Sequence, residues 1–395
     1  MIKTLLISLS VISSGYALTA EEFNKQQMSS FESSKNSFDT YKVSQEEAFE
    51  TYQKEQMKAF NDFKKEVGAL WEDPKMPTKT SLVTYSQDKK TRTDVDFKNQ
   101  EIIVETIASS PEDAKKQLEA QLAQIVSIDT KKFDDLDPLE QSLAKIKKPA
   151  EVVSSNIKSE PILSTVIFDS KPSKKEVDSY VGKNISNEKI KVLPTSKVPH
   201  QKIYSVSVKM PADAMIKKSK DYYPEVKKQS NIQKLPMPLV FAIMHSESSF
   251  NPKARSHIPA YGLMQIVPKS AGRDVYKFLY KQDKLVSGTY LYNSTNNITM
   301  GTAYLHILYY RYLKAIKNDD SRLYCTIAAY NTGAGNIAWA FTKTHNMNKA
   351  APIINSLTPE QVYNRLLKDL RYDEPKHYLK RVKERMSAYH KVYGI

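Results

Sequence analysis

Glu247 is the residue of this chain best placed to do chemistry. It follows Val240, Ile243 and Met244 at helical spacing, so the four share one face, and that face is otherwise apolar. A carboxyl in such a core position is rarely buried without a partner. Desolvation disfavours its charged form and raises its pKa. A glutamic acid held this way stays protonated near neutral pH and can hand a proton to a leaving oxygen. On periodicity alone, a Glu paired with a Lys or Arg at a helix end fits as well. The helix opens at Leu235-Pro236-Met237-Pro238, where prolines cost little, and Asn251-Pro252 is expected to end it.

Around this residue the chain reads Glu247-Ser248-Ser249-Phe250-Asn251-Pro252, then Ser256, then Ala260-Tyr261-Gly262-Leu263-Met264-Gln265-Ile266. Further on come Asn297-Ile298-Thr299-Met300-Gly301-Thr302-Ala303-Tyr304-Leu305, Ala328-Ala329-Tyr330-Asn331-Thr332-Gly333-Ala334-Gly335 and Glu374-Pro375-Lys376-His377-Tyr378. In this order and spacing the set resembles the soluble lytic transglycosylase domain, a goose-lysozyme-like helical fold; the last motif matches more loosely. Phe-rich residues 23–63 and the segment Leu82–Thr106 are similar to the N-terminal region of the membrane-bound lytic murein transglycosylase C family. One departure stands out. That family is usually lipid-anchored through a cysteine after the signal, and no cysteine stands there in this sequence, so outer-membrane anchoring is not carried over.

The resemblance implies a lyase that cuts the β-1,4 bond between N-acetylmuramic acid and N-acetylglucosamine in peptidoglycan without water. The acid protonates the bridging oxygen. The carboxylate then takes the proton of the muramic acid 6-hydroxyl, whose oxygen closes on the anomeric carbon as a 1,6-anhydro ring. Glu247 matches the catalytic position. Ser256 matches a residue near the substrate N-acetyl group. Gln265 has an amide suited to hydroxyl or acetamide groups, Gly262 permits close backbone approach, and Met264 packs the core. Tyr330 and Tyr378 match site tyrosines, and Glu374 a supporting hydrogen-bonding group. A common hydrolase needs a second carboxylate, and none is evident; Asp274 and Asp283 lie in a polar stretch. The competing functions are a hydrolase of the same bond and an inactive wall-binding protein.

These residues need elements to hold them. The 395 residues, 40% apolar, allow two or three domains with real cores. Gly is scarce, at 10 in the whole chain, yet Gly262, Gly272, Gly288, Gly301, Gly333 and Gly335 cluster where the motifs lie. From 211 to 395 the pattern is helical, which makes this the mainly α, lysozyme-like catalytic domain. Residues 74–210 read as an α+β domain. Its strand candidates are Leu82–Tyr85, Thr93–Phe97, Glu101–Ile107, Ile162–Phe168, Lys189–Leu193 and Ile203–Val208, and a helix starts at Ser110-Pro111. Residues 21–73 read as one long amphipathic helix. Phe38, Phe49 and Phe60, like Tyr41, Tyr52 and Phe63, recur every 11 residues, which keeps them on one face.

Met1-Ile2-Lys3, the apolar run to Ile12 and the small residues up to Ala17 have the layout of a cleavable signal peptide over 1–17; a cut after Ala20 fits too. A periplasmic protein without a lipid anchor is therefore expected. The net charge of +15 calls for an anionic partner. Export removes nucleic acid and leaves peptidoglycan strands, with peripheral association to a membrane or wall complex. No cofactor and no metal are expected: seven histidines and one cysteine offer no HExxH or paired-cysteine spacing. Gly333-Ala334-Gly335-Asn336-Ile337-Ala338 has the spacing of a dinucleotide fingerprint but follows a helix-like segment rather than a strand.

Overall fold

The computed structural model describes residues 20–257 and 259–394. The expected leader at 1–17 lies outside them, as do the side chains of Phe38 and Tyr41. The chain divides into one unit ending at Thr51 and another starting at Tyr52, and the division falls inside α1 (Ala20–Gly68). In the first unit Met28, Phe31 and Val43 are exposed.

In the second unit, β1 (Ser81–Tyr85), β2 (Thr91–Asp96), β3 (Glu101–Ala108), β4 (Lys191–Pro194) and β5 (Lys202–Lys209) form one antiparallel sheet ordered β1-β2-β3-β5-β4. Val206 and Val208 of β5 pair with Val104 and Ile102 of β3. Tyr204, Val206 and Val208 point into the core while Ser205 and Ser207 alternate outward, the period-two pattern of a strand buried on one face. Helix α2 (Pro111–Ser127), capped by the Ser110 side chain, lays Ala114, Leu118, Leu122, Ile125 and Val126 on that face. Each large aliphatic side chain so buried contributes about 1.5–3 kcal/mol. On the opposite face Phe63 and Val67 of α1 meet Trp71, Val83 and Tyr85. The connection from β3 to β4 carries α3 (Thr130–Leu136), α4 (Pro138–Ala144), α5 (Ser164–Ile167) and α6 (Lys174–Asn184). The strand expected over Ile162–Phe168 is the short helix α5 instead. Ser164 and Val166 of the helix are buried, with Ile162 and Leu163 buried just ahead of it, and a short apolar run does not by its pattern distinguish strand from helix.

The rest is helical: α7 (Ala214–Asp221), α8 (Tyr223–Gln233), α9 (Met237–Ser248), α10 (Arg273–Tyr280), α11 (Gly288–Tyr292), α12 (Ser294–Ile307), α13 (Asp319–Thr332), α14 (Ala334–Thr342), α15 (Met347–Asn355), α16 (Pro359–Asp369) and α17 (Asp373–Tyr393). Helix α9 packs along α17 and α8. Its side chains from Pro238 to Met244 are buried on all sides, so it is a core helix rather than an amphipathic one. One hydrophobic core runs from the sheet and α2 into these helices.

A buried charge cluster fastens the α+β region to the loop after α9. Lys253, 3% exposed, reaches Asp134 at 2.6 Å and Glu140 at 3.2 Å, with its ammonium 4.1 Å from the Tyr292 ring centre. Replacing it leaves two carboxylates without their cation in a poorly hydrated place. We expect Lys253→Ala to cost about 3–5 kcal/mol in denaturant unfolding; a loss under about 1 kcal/mol would mean that the pair is solvated and holds nothing.

Candidate active site

Helix α9 ends at Ser248, earlier than the Asn251-Pro252 stop. Ser249 and Phe250 turn left-handed, with φ of 51° and 60°. A bulky residue is strained there. Burial imposes the turn: Phe250 is fully enclosed, stacked 6.2 Å from Tyr222 and tilted 5.5 Å from His245. The chain thus reverses directly after Ser248 and brings the loop 251–266 back onto the end of the helix, where Leu263 O meets Ser248 Oγ.

That loop is held by a set of buried hydrogen bonds. Ser248 Oγ donates to Leu263 O at 2.8 Å. Asn297 of α12, fully buried, donates from Nδ2 to Tyr261 O and Leu291 O at 2.8 Å each and accepts from Met264 N–H at 2.8 Å. Tyr330 of α13 donates to Met264 O at 2.8 Å. Gly262, at φ 74°, has no room for a side chain: a Cβ would stand 2.3 Å from Asn297 Nδ2 and 2.4 Å from Leu291 O. Its close approach is therefore to α12 and its lead-in. Met264 is buried over Gly301, as core packing requires.

Glu247 is 8% exposed, and its carboxyl pKa is raised to about 7. Burial is the main cause and the Glu374 carboxylate adds to it; the Tyr378 hydroxyl, Lys79 and Arg381 pull it back. Tyr378 of α17 is buried beside it, with its hydroxyl lacking a well-formed hydrogen bond. Burial first and the Glu247 charge second push the Tyr378 and Tyr330 phenols well above their usual value. Both therefore stay neutral; Tyr378 has its proton free to donate, and Tyr330 gives its own to Met264 O. His245, two residues before Glu247, is held at about pKa 3 by burial and by Arg385, and meets Tyr389 Oη at 3.0 Å. It is a neutral packing residue at any working pH.

Among the residues the sequence singles out, Glu247, Tyr330, Tyr378 and Glu374 act on one another. Glu374 is exposed and ion-paired with Arg381 at 3.9 Å. Gln265 donates from Nε2 to Gly262 O at 3.0 Å, and its Oε1 is buried with no protein partner. Ser256 closes its loop, its Oγ accepting from Ala260 N–H at 3.2 Å, and lines a neighbouring cleft of about 510 Å³. No contact ties Ser256 or Gln265 directly to Glu247 among the described residues. Sequence reasoning missed Lys79, Ser248 and Asn297. The last two stand inside quoted motifs, where a polar residue in an apolar helix signals a buried hydrogen bond.

Residues 225–353 match the transglycosylase SLT domain, and residues 49–221 match the N-terminal domain of membrane-bound lytic murein transglycosylase C. Curated relatives of the latter name include one from Sodalis glossinidius, 40% identical over 189 residues (48% of this chain, 52% of the relative), and one from Serratia proteamaculans, 41% identical over 187 (47% and 51%). The chain spans about half the length of the curated relatives it matches. A solved structure, the 70 kDa soluble lytic transglycosylase of Escherichia coli, aligns at 24% identity and a TM-score of 0.35 over 46% of this chain and 28% of that one. The expectation of a periplasmic protein, freed by a cleaved signal and without an anchor, is overturned by these relatives, which are named membrane-bound. The missing cysteine on which that expectation leaned does not establish release from a membrane. With one match following the other along 49–353, this chain is similar to membrane-bound lytic murein transglycosylase C, an N-terminal domain of that kind leading into a transglycosylase SLT domain.

Proposed function

We propose that this protein cleaves the glycan strands of peptidoglycan as a lytic transglycosylase, with Glu247 serving first as acid and then as base. The observation that carries the reading is the carboxyl of Glu247, buried and raised to about pKa 7. It gives its proton to the oxygen between N-acetylmuramic acid and N-acetylglucosamine, and the anomeric carbon–oxygen bond breaks. The carboxylate so formed takes the 6-hydroxyl proton as that oxygen bonds to the anomeric carbon. Glu247 ends protonated, and no water is consumed. Tyr378 donates toward the carboxylate stage, while Tyr330, its proton given to Met264 O, holds the loop beside the site. Gln265 Oε1 accepts a substrate hydroxyl or acetamide N–H, Ser256 contacts the sugar from the cleft wall, and Glu374 supports from the rim.

The non-hydrolytic course is favoured over hydrolysis because the carboxylate that acts on Glu247, Glu374, is exposed and turned to Arg381. We assign the chemistry to 211–395 and a supporting role to 74–210; of the long amphipathic helix expected over 21–73, α1 runs only to Gly68, and the chain turns at 69–73 ahead of Pro74. The relatives' name extends the proposal to a membrane-associated protein. Mass spectrometry of fragments released from purified peptidoglycan tests the reaction. Products one water lighter than hydrolysis gives are expected; reducing ends would mean a hydrolase.

Tyr378 provides a separate check. Removing its hydroxyl removes a group that favours the carboxylate. We expect Tyr378→Phe to shift the alkaline limb of the kcat/KM profile to higher pH and to lower kcat by roughly tenfold. An unmoved limb would separate Tyr378 from Glu247.

A further inference from the structure

Lys79 belongs to no motif and lies in the α+β region, yet its charge acts on the Glu247 carboxyl. The segment carrying it is built onto the catalytic loop. Asn251, fully buried, spreads its Nδ2 between Thr78 O at 3.4 Å and Lys79 O at 3.5 Å, and Arg255 N–H donates to Thr78 O at 3.3 Å. Thr78 Oγ1 in turn accepts from Ser81 N–H at 3.0 Å. Lys79 itself is exposed. It lines the cleft that holds Ser256, whose walls include the apolar side chains of Met57, Phe60 and Pro77. From α17, half-buried Arg381 is a second cation acting on Glu247, 5.9 Å from the Tyr378 ring centre.

A group that must be protonated to work is poorly served by two cations, since each favours its charged form. The arrangement becomes productive when an anion of the substrate occupies them. The glycan itself offers one kind of anion beside the bond to be cut: the carboxylate on the lactyl ether of muramic acid, free or extended into a stem peptide that ends in carboxylates. An ammonium and a carboxylate form a short, charge-assisted hydrogen bond. The apolar wall suits the lactyl methyl group and the sugar face.

We propose that Lys79 is a specificity-determining residue that binds a substrate carboxylate in this cleft, so that strands carrying a free carboxylate next to the scissile bond are cleaved in preference to neutral ones. The inference rests on the peptidoglycan reading above. It is tested with two pairs of glycan preparations: strands stripped of peptides with the lactyl carboxylates free or converted to methylamides, and strands with tetrapeptide stems whose carboxylates are free or methyl-esterified. The ratio of kcat/KM within each pair is measured for the parent, Lys79→Gln and Lys79→Arg.

The parent is expected to favour the free carboxylate by about tenfold in at least one pair, as a single charge-assisted hydrogen bond supplies. The pair that discriminates identifies the source of the carboxylate. Lys79→Gln should bring that ratio close to one, and Lys79→Arg should restore most of it. A parent ratio near one in both pairs, or a Lys79→Gln ratio equal to the parent's, overturns the inference and leaves the peptidoglycan reading standing. No cleavage of any preparation by the parent overturns both.

Discussion

Glu247→Gln should lose cleavage of purified peptidoglycan by roughly 10³-fold or more, since one carboxyl carries both proton transfers and each general acid or base step is worth about 10²–10⁴. The same variant should be more stable than the parent in alkali. The folded-state pKa, about 7, lies above the 4.5 of an ordinary glutamate. The contribution of a group shifted this way is fully present below its unfolded pKa and is lost as pH rises through its folded one. Above pH 7 the parent must either bury a charge or open the site, a cost on the order of 3 kcal/mol. Glutamine has the same shape and no charge to bury. Denaturant unfolding at pH 5 and pH 9 reads the effect directly: the advantage of Glu247→Gln should be small at pH 5 and grow through pH 7. An advantage that does not change with pH would mean that the carboxyl titrates as it does in water.

Gly262→Ala is the second large effect. Two costs coincide there: a φ of 74°, and a Cβ within 2.4 Å of a backbone carbonyl and closer still to Asn297 Nδ2. Displaced Asn297 leaves Tyr261 O, Leu291 O and Met264 N–H without their buried partner. We expect a loss of about 3–5 kcal/mol, with activity falling alongside as the loop leaves Glu247. Gly333→Ala is the internal comparison. Its φ of 84° with ψ of 150° is a backbone region open essentially to glycine, but nothing lies within 4 Å of an added Cβ, so it carries strain alone, about 1–3 kcal/mol. Equal losses at the two positions would show that the contact with Asn297 does not decide the matter.

The contrast between legible and hidden parts follows from how far each interaction reaches along the chain. Glu247 could be read because its neighbours at helical spacing are apolar, and a carboxyl among them is chemically out of place. The face of α2 and the alternation of β5 could be read for the same local reason. Lys79 could not. It is one of 59 lysines and arginines, exposed, and its relation to Glu247 exists only because buried Asn251 holds the segment before β1 against the loop. The early end of α9 was hidden too, since left-handed Ser249 and Phe250 are imposed by aromatic packing from Tyr222 and His245. Ile162–Phe168 misled because β-branched residues in a short apolar run favour a strand locally, while the core admits them as one helical turn. Gly262 gave half its message. The need for a bare backbone was visible in the sequence; that the neighbour is Asn297 was not.

The most direct test is the titration of Glu247 itself. The side-chain carboxyl carbon of Glu247, assigned in ¹³C-labelled protein by its absence from Glu247→Gln, is followed by NMR from acid to mild alkali. A midpoint near pH 7 is expected, in line with a carboxyl raised to about 7 by burial. A midpoint in the ordinary glutamate range, near 4.3, would contradict it.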